Sequence, residues 1–399
     1  MTPEQLLKEA DRCVKCGLCL PHCPTYLVLE SEADSPRGRI SLIQALASGE
    51  LPAGKSMETH LARCLSCRAC ESACPSGVKY GALIDGGRAL IADQHRGRPV
   101  WRRIFDLLSD RQRLRRWSKF HTLLQRSGLI RIASLFPSIR LSRLISLGQF
   151  LPKQVGTLTE LHAAKRPTGR LVQLFTGCVG SQTDQQLIEQ SLSLLSHLGY
   201  AVEIPANQVC CGALHRHNGY PEQADRLCET NRLQTEKSRA ECLITLASAC
   251  HLELNEHLKS DLPITGMTDF LLDLPQDALP NLQPLTKKVA IHTPCTSQND
   301  RSQELLRLIP GLEIEELPEN SICCGAAGSY LLTQPELSAT LGAQKLGSLK
   351  ASNAEILITG NTGCALQFRQ LIEQSDLNID VMHPLELFAR QMENSTGNA

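Results

Sequence analysis

Short apolar runs alternate with amphipathic stretches through the C-terminal half of the chain. RLVQLF (170–175) and KVAIH (288–292) read as buried strands, each ending just before a cysteine. AECLITL (240–246) and AEILITG (354–360) read the same way. DQQLIEQSLSLLSHLG (184–199) and PELSATLGAQKLGSLKA (335–351) place apolar residues at helical spacing. This alternation predicts α/β layers with parallel strands, whose carboxyl ends gather ligands at one rim. Residues 1–98 lack it and pattern as helix and loop.

Two internal repeats sharpen the picture. Cys13, Cys16, Cys19 and Cys23 recur as Cys64, Cys67, Cys70 and Cys74, each offset by 51 residues. Further on, Cys178 maps to Cys295, Cys210-Cys211-Gly212 to Cys323-Cys324-Gly325, and Cys250 to Cys364, at offsets of 117, 113 and 114. ITGMTDFLLDL (264–274) and DVMHPLELFAR (380–390) close the two copies. A tandem duplication accounts for the pattern.

Composition narrows the chemistry. With 399 residues, 42% of them hydrophobic, the chain can bury a core in more than one domain. Lys+Arg and Asp+Glu are 41 each and aromatics are 4%, which disfavours nucleic acid as a partner. The eighteen cysteines are the outlier. The chain opens MTPEQLLKEADRC with no apolar leader stretch, and no apolar run is long enough to span a bilayer. Reduced, metal-bound cysteines in a cytoplasmic protein are therefore expected, rather than a disulfide framework.

CVKCGLCLPHCP (13–24) and CLSCRACESACP (64–75) both read C-x2-C-x2-C-x3-C-P, the spacing of a bacterial two-cluster ferredoxin. Three thiolates from one tight loop reach one cube, and the fourth crosses to the other. The expected ligand sets are Cys13, Cys16, Cys19 and Cys74 for the first [4Fe–4S] cluster, and Cys64, Cys67, Cys70 and Cys23 for the second. Gly17 and Ala69 keep the loop interiors small, and Pro24 and Pro75 turn the chain away after the crossing ligand. Zinc sites also use C-x2-C, but zinc does not require the third and fourth cysteines at these intervals, twice over.

Each C-terminal repeat offers four thiols: Cys178, Cys210, Cys211 and Cys250, then Cys295, Cys323, Cys324 and Cys364. Adjacent cysteines suit neighbouring irons of a cluster better than a single iron, and Gly212 and Gly325 allow close backbone approach. A further iron–sulfur cluster in each repeat, a redox disulfide and buried free thiols all stay open. Duplication of all four positions argues against inert thiols. Cys228 and Cys242 have no counterpart and read as buried thiols. Of the nearby His215, His217, His251 and His292, only His292 is well placed, with packing or hydrogen bonding as its expected role.

From Trp101 to Phe150 there are eleven Lys/Arg against Asp106 and Asp110, a local charge of 11 − 2 = +9. Such a segment suits anionic headgroups near a quinone pool, an acidic partner subunit, or a solvated linker. The expected domains are 1–98 with the two clusters, a basic helical linker over 99–168, cysteine-rich repeats over 169–286 and 287–390, and a tail over 391–399. The fold class is then a multidomain α+β and α/β protein: a helical two-[4Fe–4S] ferredoxin-like domain followed by two tandem α/β CCG repeats.

These motifs in this order, with SPRGRI at 35–40, resemble the iron–sulfur subunits of glycolate oxidase. DRCVKCGLCLPHCPTY and ENSICCGAAGSYLLTQPEL are especially similar to that family. The wider group includes subunits of lactate and anaerobic glycerol-3-phosphate dehydrogenases, and B-type subunits of heterodisulfide reductase share the CCG repeats. The resemblance implies an electron-transfer subunit in a complex, peripheral on the inner face of the cytoplasmic membrane, that oxidises glycolate to glyoxylate. FAD and substrate would sit on a flavoprotein partner, with an accessory subunit, and electrons would pass to quinone. D-lactate is the rival substrate. The full CCG pattern ends in C-x2-C, but Ala247 and Asn361 occupy its first positions here, which counts against a thiol–disulfide reductase. No G-x-G-x-x-G opens a helix after a strand, so no flavin is expected on this chain, and no catalytic residue is assigned. A scaffold with redox-silent clusters is the remaining alternative.

Overall fold

The structure is a computed structural model describing residues 1–94, 99–110, 113–114, 116, 161–165, 168–297 and 299–393. In the N-terminal region, helices Pro3–Ala10, Pro36–Ala47, Lys55–Ala62 and Tyr80–Gln94 surround a core of Leu6, Ile43, Leu61, Leu83 and Ile84. The first helix begins with a reciprocal cap between Thr2 and Gln5, and the second with Ser35 accepting from the Gly38 amide. The two cysteine loops lie between these helices, and Pro24 opens the short helix Pro24–Leu29 directly after Cys23.

The C-terminal half contains two sheets. The first holds β1 (Leu161–His162), β2 (Leu171–Phe175), β3 (Ala201–Glu203), β4 (Leu243–Thr245) and β5 (Ile264–Gly266), in the order β1-β3-β2-β4-β5. The second holds β6 (Lys288–His292), β7 (Glu313–Glu316), β8 (Ile356–Thr359) and β9 (Asp380–Met382), in the order β7-β6-β8-β9. Without β1, an antiparallel edge strand, the two sheets share one parallel topology. The central strands are buried on both faces, which is why they read as predominantly apolar runs. In register, Phe175 pairs with Thr245 in one sheet as His292 pairs with Thr359 in the other.

The copies interlock. Helix Pro384–Glu393, which closes the second copy, buries Leu385, Phe388 and Met392 among Ile188, Leu192 and Leu195 of the first copy's helix Gln185–His197. Within the basic segment, helix Pro99–Ser109 packs on the first repeat through Phe105, 1% exposed, which meets His215 and Tyr220 edge-on. The rest of that segment's basic and aromatic residues, including Arg111, Arg115, Trp117, Lys119 and everything from 120 to 150, lie outside the described residues apart from Arg113 and Arg116. Among the described residues no helix is long and apolar enough to cross a membrane.

Candidate functional site

The N-terminal cysteines converge in two adjoining cavities. Cys13, Cys16, Cys19 and Cys74 line one, beside Arg37 and Gly17. Cys23, Cys64 and Cys67 line the other, beside Arg39 and Tyr80, while Cys70 borders both. Each cavity thus collects sulfurs from both motifs, with Cys74 and Cys23 crossing over. Cys16 is exposed, whereas Cys23, Cys64 and Cys70 are buried. Burial pushes the Cys67 and Cys70 thiols well up, so a bound cation is needed to keep such a set as thiolates. At least four sulfurs per cavity, drawn from both loops, fit a [4Fe–4S] cluster in each.

A polar network surrounds the inner cavity. The Arg39 guanidinium donates to Asp34 Oδ1 (3.2 Å), Thr25 Oγ1 (2.9 Å) and the His60 carbonyl (2.8 Å), and reaches Cys23 Sγ at 4.0 Å. Arg63 and His60 meet the other Asp34 oxygen at 3.2 and 3.1 Å. The Tyr80 hydroxyl donates to Cys64 Sγ (3.7 Å), as does the Ser66 amide (3.4 Å). These donors favour negative charge on the two sulfurs. The SPRGRI segment supplies Arg39, a role that only the contact between helices Pro36–Ala47 and Lys55–Ala62 reveals.

The eight thiols of the repeats line a cavity of ≈ 440 Å³ that also touches Cys64 and Phe105. Within the first repeat Cys178 Sγ lies 3.4 Å from Cys210 Sγ, and Cys210 contacts Cys211, which contacts Cys250. The second repeat repeats this order: Cys295 to Cys323, Cys323 to Cys324, Cys324 to Cys364. Hydrogen bonds received from Cys178 and Cys211 push Cys210 down, while donating pushes Cys178 up. Both Cys-Cys turns rely on the following glycine. Gly212 and Gly325 have φ of +105° and +83°, and a Cβ on Gly325 would lie 2.9 Å from the Ser338 carbonyl oxygen.

The repeats differ around their thiols. The second has His292, whose ring nitrogen lies within 4.8 Å of both Cys324 and Cys364 sulfurs. It also has the buried Lys345, held by the Glu319 carbonyl at 2.5 Å and lowered by burial against the pull of nearby Cys324 and Cys323. Burial, with Lys345 nearby, pushes His292 down to about 3, so its imidazole is neutral. The first repeat has Phe175 and Asn231 at the matching places, and Asn231 donates to the Cys210 carbonyl (3.0 Å). Ala247 and Asn361 are the N-caps of helices Ser248–His257 and Thr362–Glu373, and the Asn361 amide donates to Cys364 Sγ (3.3 Å).

The other candidates fall outside these sets. Cys228 donates to the Cys211 carbonyl (3.2 Å), and Cys242 sits in an apolar cluster; burial pushes their thiols up to about 12 and about 11. His215 bonds Ser109 and Asp106, His217 pairs with Asp85, and His251 bonds Thr245. Sequence reasoning passed over Arg39, Tyr80 and Lys345, because nothing in their local spacing marks them as neighbours of sulfur.

Known proteins share this plan. Residues 9–78 match the family model described as a 4Fe-4S dicluster domain, and residues 172–255 and 289–369 match the Cysteine-rich domain. The "Probable glycolate oxidase iron-sulfur subunit" of Bacillus subtilis is 32% identical, covering 93% of this chain and 90% of its own length. The glycolate oxidase iron-sulfur subunit of Escherichia coli is 34% identical, covering 89% and 90%. Lactate utilization protein A of Bacillus velezensis is 26% identical and covers 54% of this chain and 98% of its own. With two [4Fe–4S] clusters in the dicluster domain and cysteine-rich repeats behind it, the chain belongs to the family of glycolate oxidase iron–sulfur subunits, electron-transfer components of an oxidoreductase whose substrate is oxidised on a partner subunit.

Proposed function

We propose that this chain conducts electrons from a partner flavoprotein, where FAD oxidises glycolate to glyoxylate, to a membrane acceptor of the quinone class. The observation that carries this reading is the continuity of the thiols. They run from exposed Cys16 through the inner cavity to Cys67, which packs in one cluster with Cys323, and on into the cavity shared by the two repeats.

Cys13, Cys16, Cys19 and Cys74 would hold the first [4Fe–4S] cluster, and Cys64, Cys67, Cys70 and Cys23 the second. Cys178, Cys210, Cys211 and Cys250 would hold a third centre, and Cys295, Cys323, Cys324 and Cys364 a fourth. When bound, such clusters supply one-electron carriers. Around them the chain's own residues exclude water and fix charge: Arg39, Thr25 and Tyr80 support the Cys23 and Cys64 thiolates, and Lys345 those of the second repeat. Glycolate is favoured over lactate because relatives named for glycolate oxidase match the chain nearly end to end, whereas those named for lactate utilization match about half. The same reading places the complex, with flavoprotein and accessory subunit, peripherally at the inner face of the cytoplasmic membrane.

The test is an anaerobically prepared complex carrying Cys16→Ser or Cys67→Ser. Glycolate is expected to reduce the flavin as before, with quinone reduction lost. Normal quinone reduction by either variant would overturn the wire.

A further inference from the structure

We propose that the second cysteine-rich repeat binds its metal centre through the imidazole of His292 as well as through thiolates, so that the two repeats hold chemically different centres. This rests on the reading that the repeats are metal sites, and it assigns a ligand which that reading does not contain.

Three observations carry it. A ring nitrogen of His292 and the sulfurs of Cys324 and Cys364 all lie within 4.8 Å of one another, each residue buried, as one cation bound by all three requires. The ring is also oriented. Nδ1 is 3.0 Å from the Thr359 hydroxyl, its partner in register on β8, and the ring edge packs on Phe368 at 4.9 Å between centroids. In the tautomer in which Nδ1 donates to that hydroxyl, Nε2 carries the free lone pair, and among the described residues no hydrogen bond reaches Nε2. Ligating histidines are commonly held by such a bond from their second nitrogen. Finally, the duplication provides an internal control. Phe175 stands at the same strand end of the first repeat, packed on Cys210 and Cys211, so apolar packing at this position is met without a nitrogen. An imidazole nitrogen among cysteine sulfurs suits iron in a cluster or a zinc ion, and both take mixed nitrogen and sulfur ligands.

The test uses the full chain, purified without oxygen, as wild type, His292→Phe and His292→Cys. Iron and zinc per chain are measured by mass spectrometry, and nitrogen couplings by pulsed EPR of the reduced wild type grown with 14N- or 15N-histidine. If the centre is iron–sulfur, one paramagnetic centre changes its coupling with the histidine isotope. His292→Phe then loses that coupling together with about four irons, while His292→Cys keeps the iron and loses only the coupling. If the centre is zinc, about one zinc per chain is found, its absorption edge reports a nitrogen neighbour, and His292→Phe loses the metal. Zinc with about twelve irons would retain the ligand and overturn the cluster reading of that repeat alone, and zinc with about eight would overturn it for both repeats. About sixteen irons with no histidine coupling would retain the clusters and overturn the ligand. The isotope comparison needs no variant, so a poorly folding His292→Phe does not decide the matter.

Discussion

Arg39 and Asp34 form an ion pair at 3.2 Å with both side chains 1% exposed, and the same guanidinium stands 4.0 Å from Cys23 Sγ. Burial works against this cation, but the surrounding Tyr80, Cys64, Cys23 and Asp34 raise it, so it stays charged. Asp34 is in turn shared with Arg63 and His60. The network therefore sets a fixed positive charge against the inner thiolates, and among the described residues none so deeply buried stands at exposed Cys16.

Replacing Arg39 with Met should act in two ways. Removing one partner of a buried pair costs about 3–5 kcal/mol, because Asp34 loses its innermost counter-charge. The midpoint of urea denaturation should fall accordingly. Loss of the cation should also lower the reduction potential of the centre held by Cys23 and Cys64, and leave the other N-terminal centre nearly unmoved. EPR-monitored redox titration checks this, and equal shifts in both centres would contradict it.

Gly325→Ala should destabilise the second repeat by about 1–3 kcal/mol, the range for strained backbone at a functional turn. The cause is both its φ of +83° and the approach of a new Cβ to the Ser338 carbonyl oxygen. Gly212→Ala faces the Ala224 carbonyl at 3.1 Å and should behave alike. Thermal melts together with iron analysis test this. A variant that melts like wild type and keeps its metal would show that the turn relaxes.

The duplicated C-terminal pattern was legible in sequence because burial on both faces writes parallel strands as apolar runs, as in LITL and ILIT, and because chain-local cysteine spacing encodes cluster loops. Strands β3 and β7 were less legible: AVE and EIEE are short and half-polar, and only their pairing with β2 and β6 makes them strands. The placement of helix Pro384–Glu393 on the other copy depends on which apolar face finds which, and periodicity does not carry that information. Arg39 and Lys345 looked like ordinary helix cations, and they become site residues only through packing across elements.

Phe105→Ala should detach the start of the basic segment from the first repeat. The ring is almost fully buried against His215, Tyr220 and Trp101, and truncating such a side chain typically costs about 3–5 kcal/mol. Limited proteolysis should then cut near residue 110 faster than in wild type. Unchanged cleavage would mean that the other contacts of helix Pro99–Ser109 suffice, including those of Asp106 and Ser109 with His215.

The joint between the N-terminal region and the first repeat should loosen as pH rises. Asp85 on helix Tyr80–Gln94 meets His217 Nδ1 at 3.2 Å, and Arg88 on the same helix donates to the His217 carbonyl (2.7 Å). Burial alone would push His217 down, but Asp85, with Glu253 adding and Arg88 opposing, raises it above its ordinary value. Burial alone would push Asp85 up, but His217, Arg88 and Arg68 hold it low. A raised histidine contributes stability that is fully present below about 6.5 and is lost as pH climbs through its folded value. A depressed aspartate contributes above about 3.9 and loses its contribution on acidification. The pair therefore stabilises the joint most between about pH 4 and 6.5 and progressively less above. Hydrogen exchange of helix Tyr80–Gln94, followed from pH 6 to 8.5 after correction for intrinsic rates, should show protection falling in wild type. In His217→Gln that extra pH dependence should vanish, with Arg68 and Glu256 still bridging the same two regions. An identical pH profile in both proteins would assign the joint's stability to the arginine contacts instead.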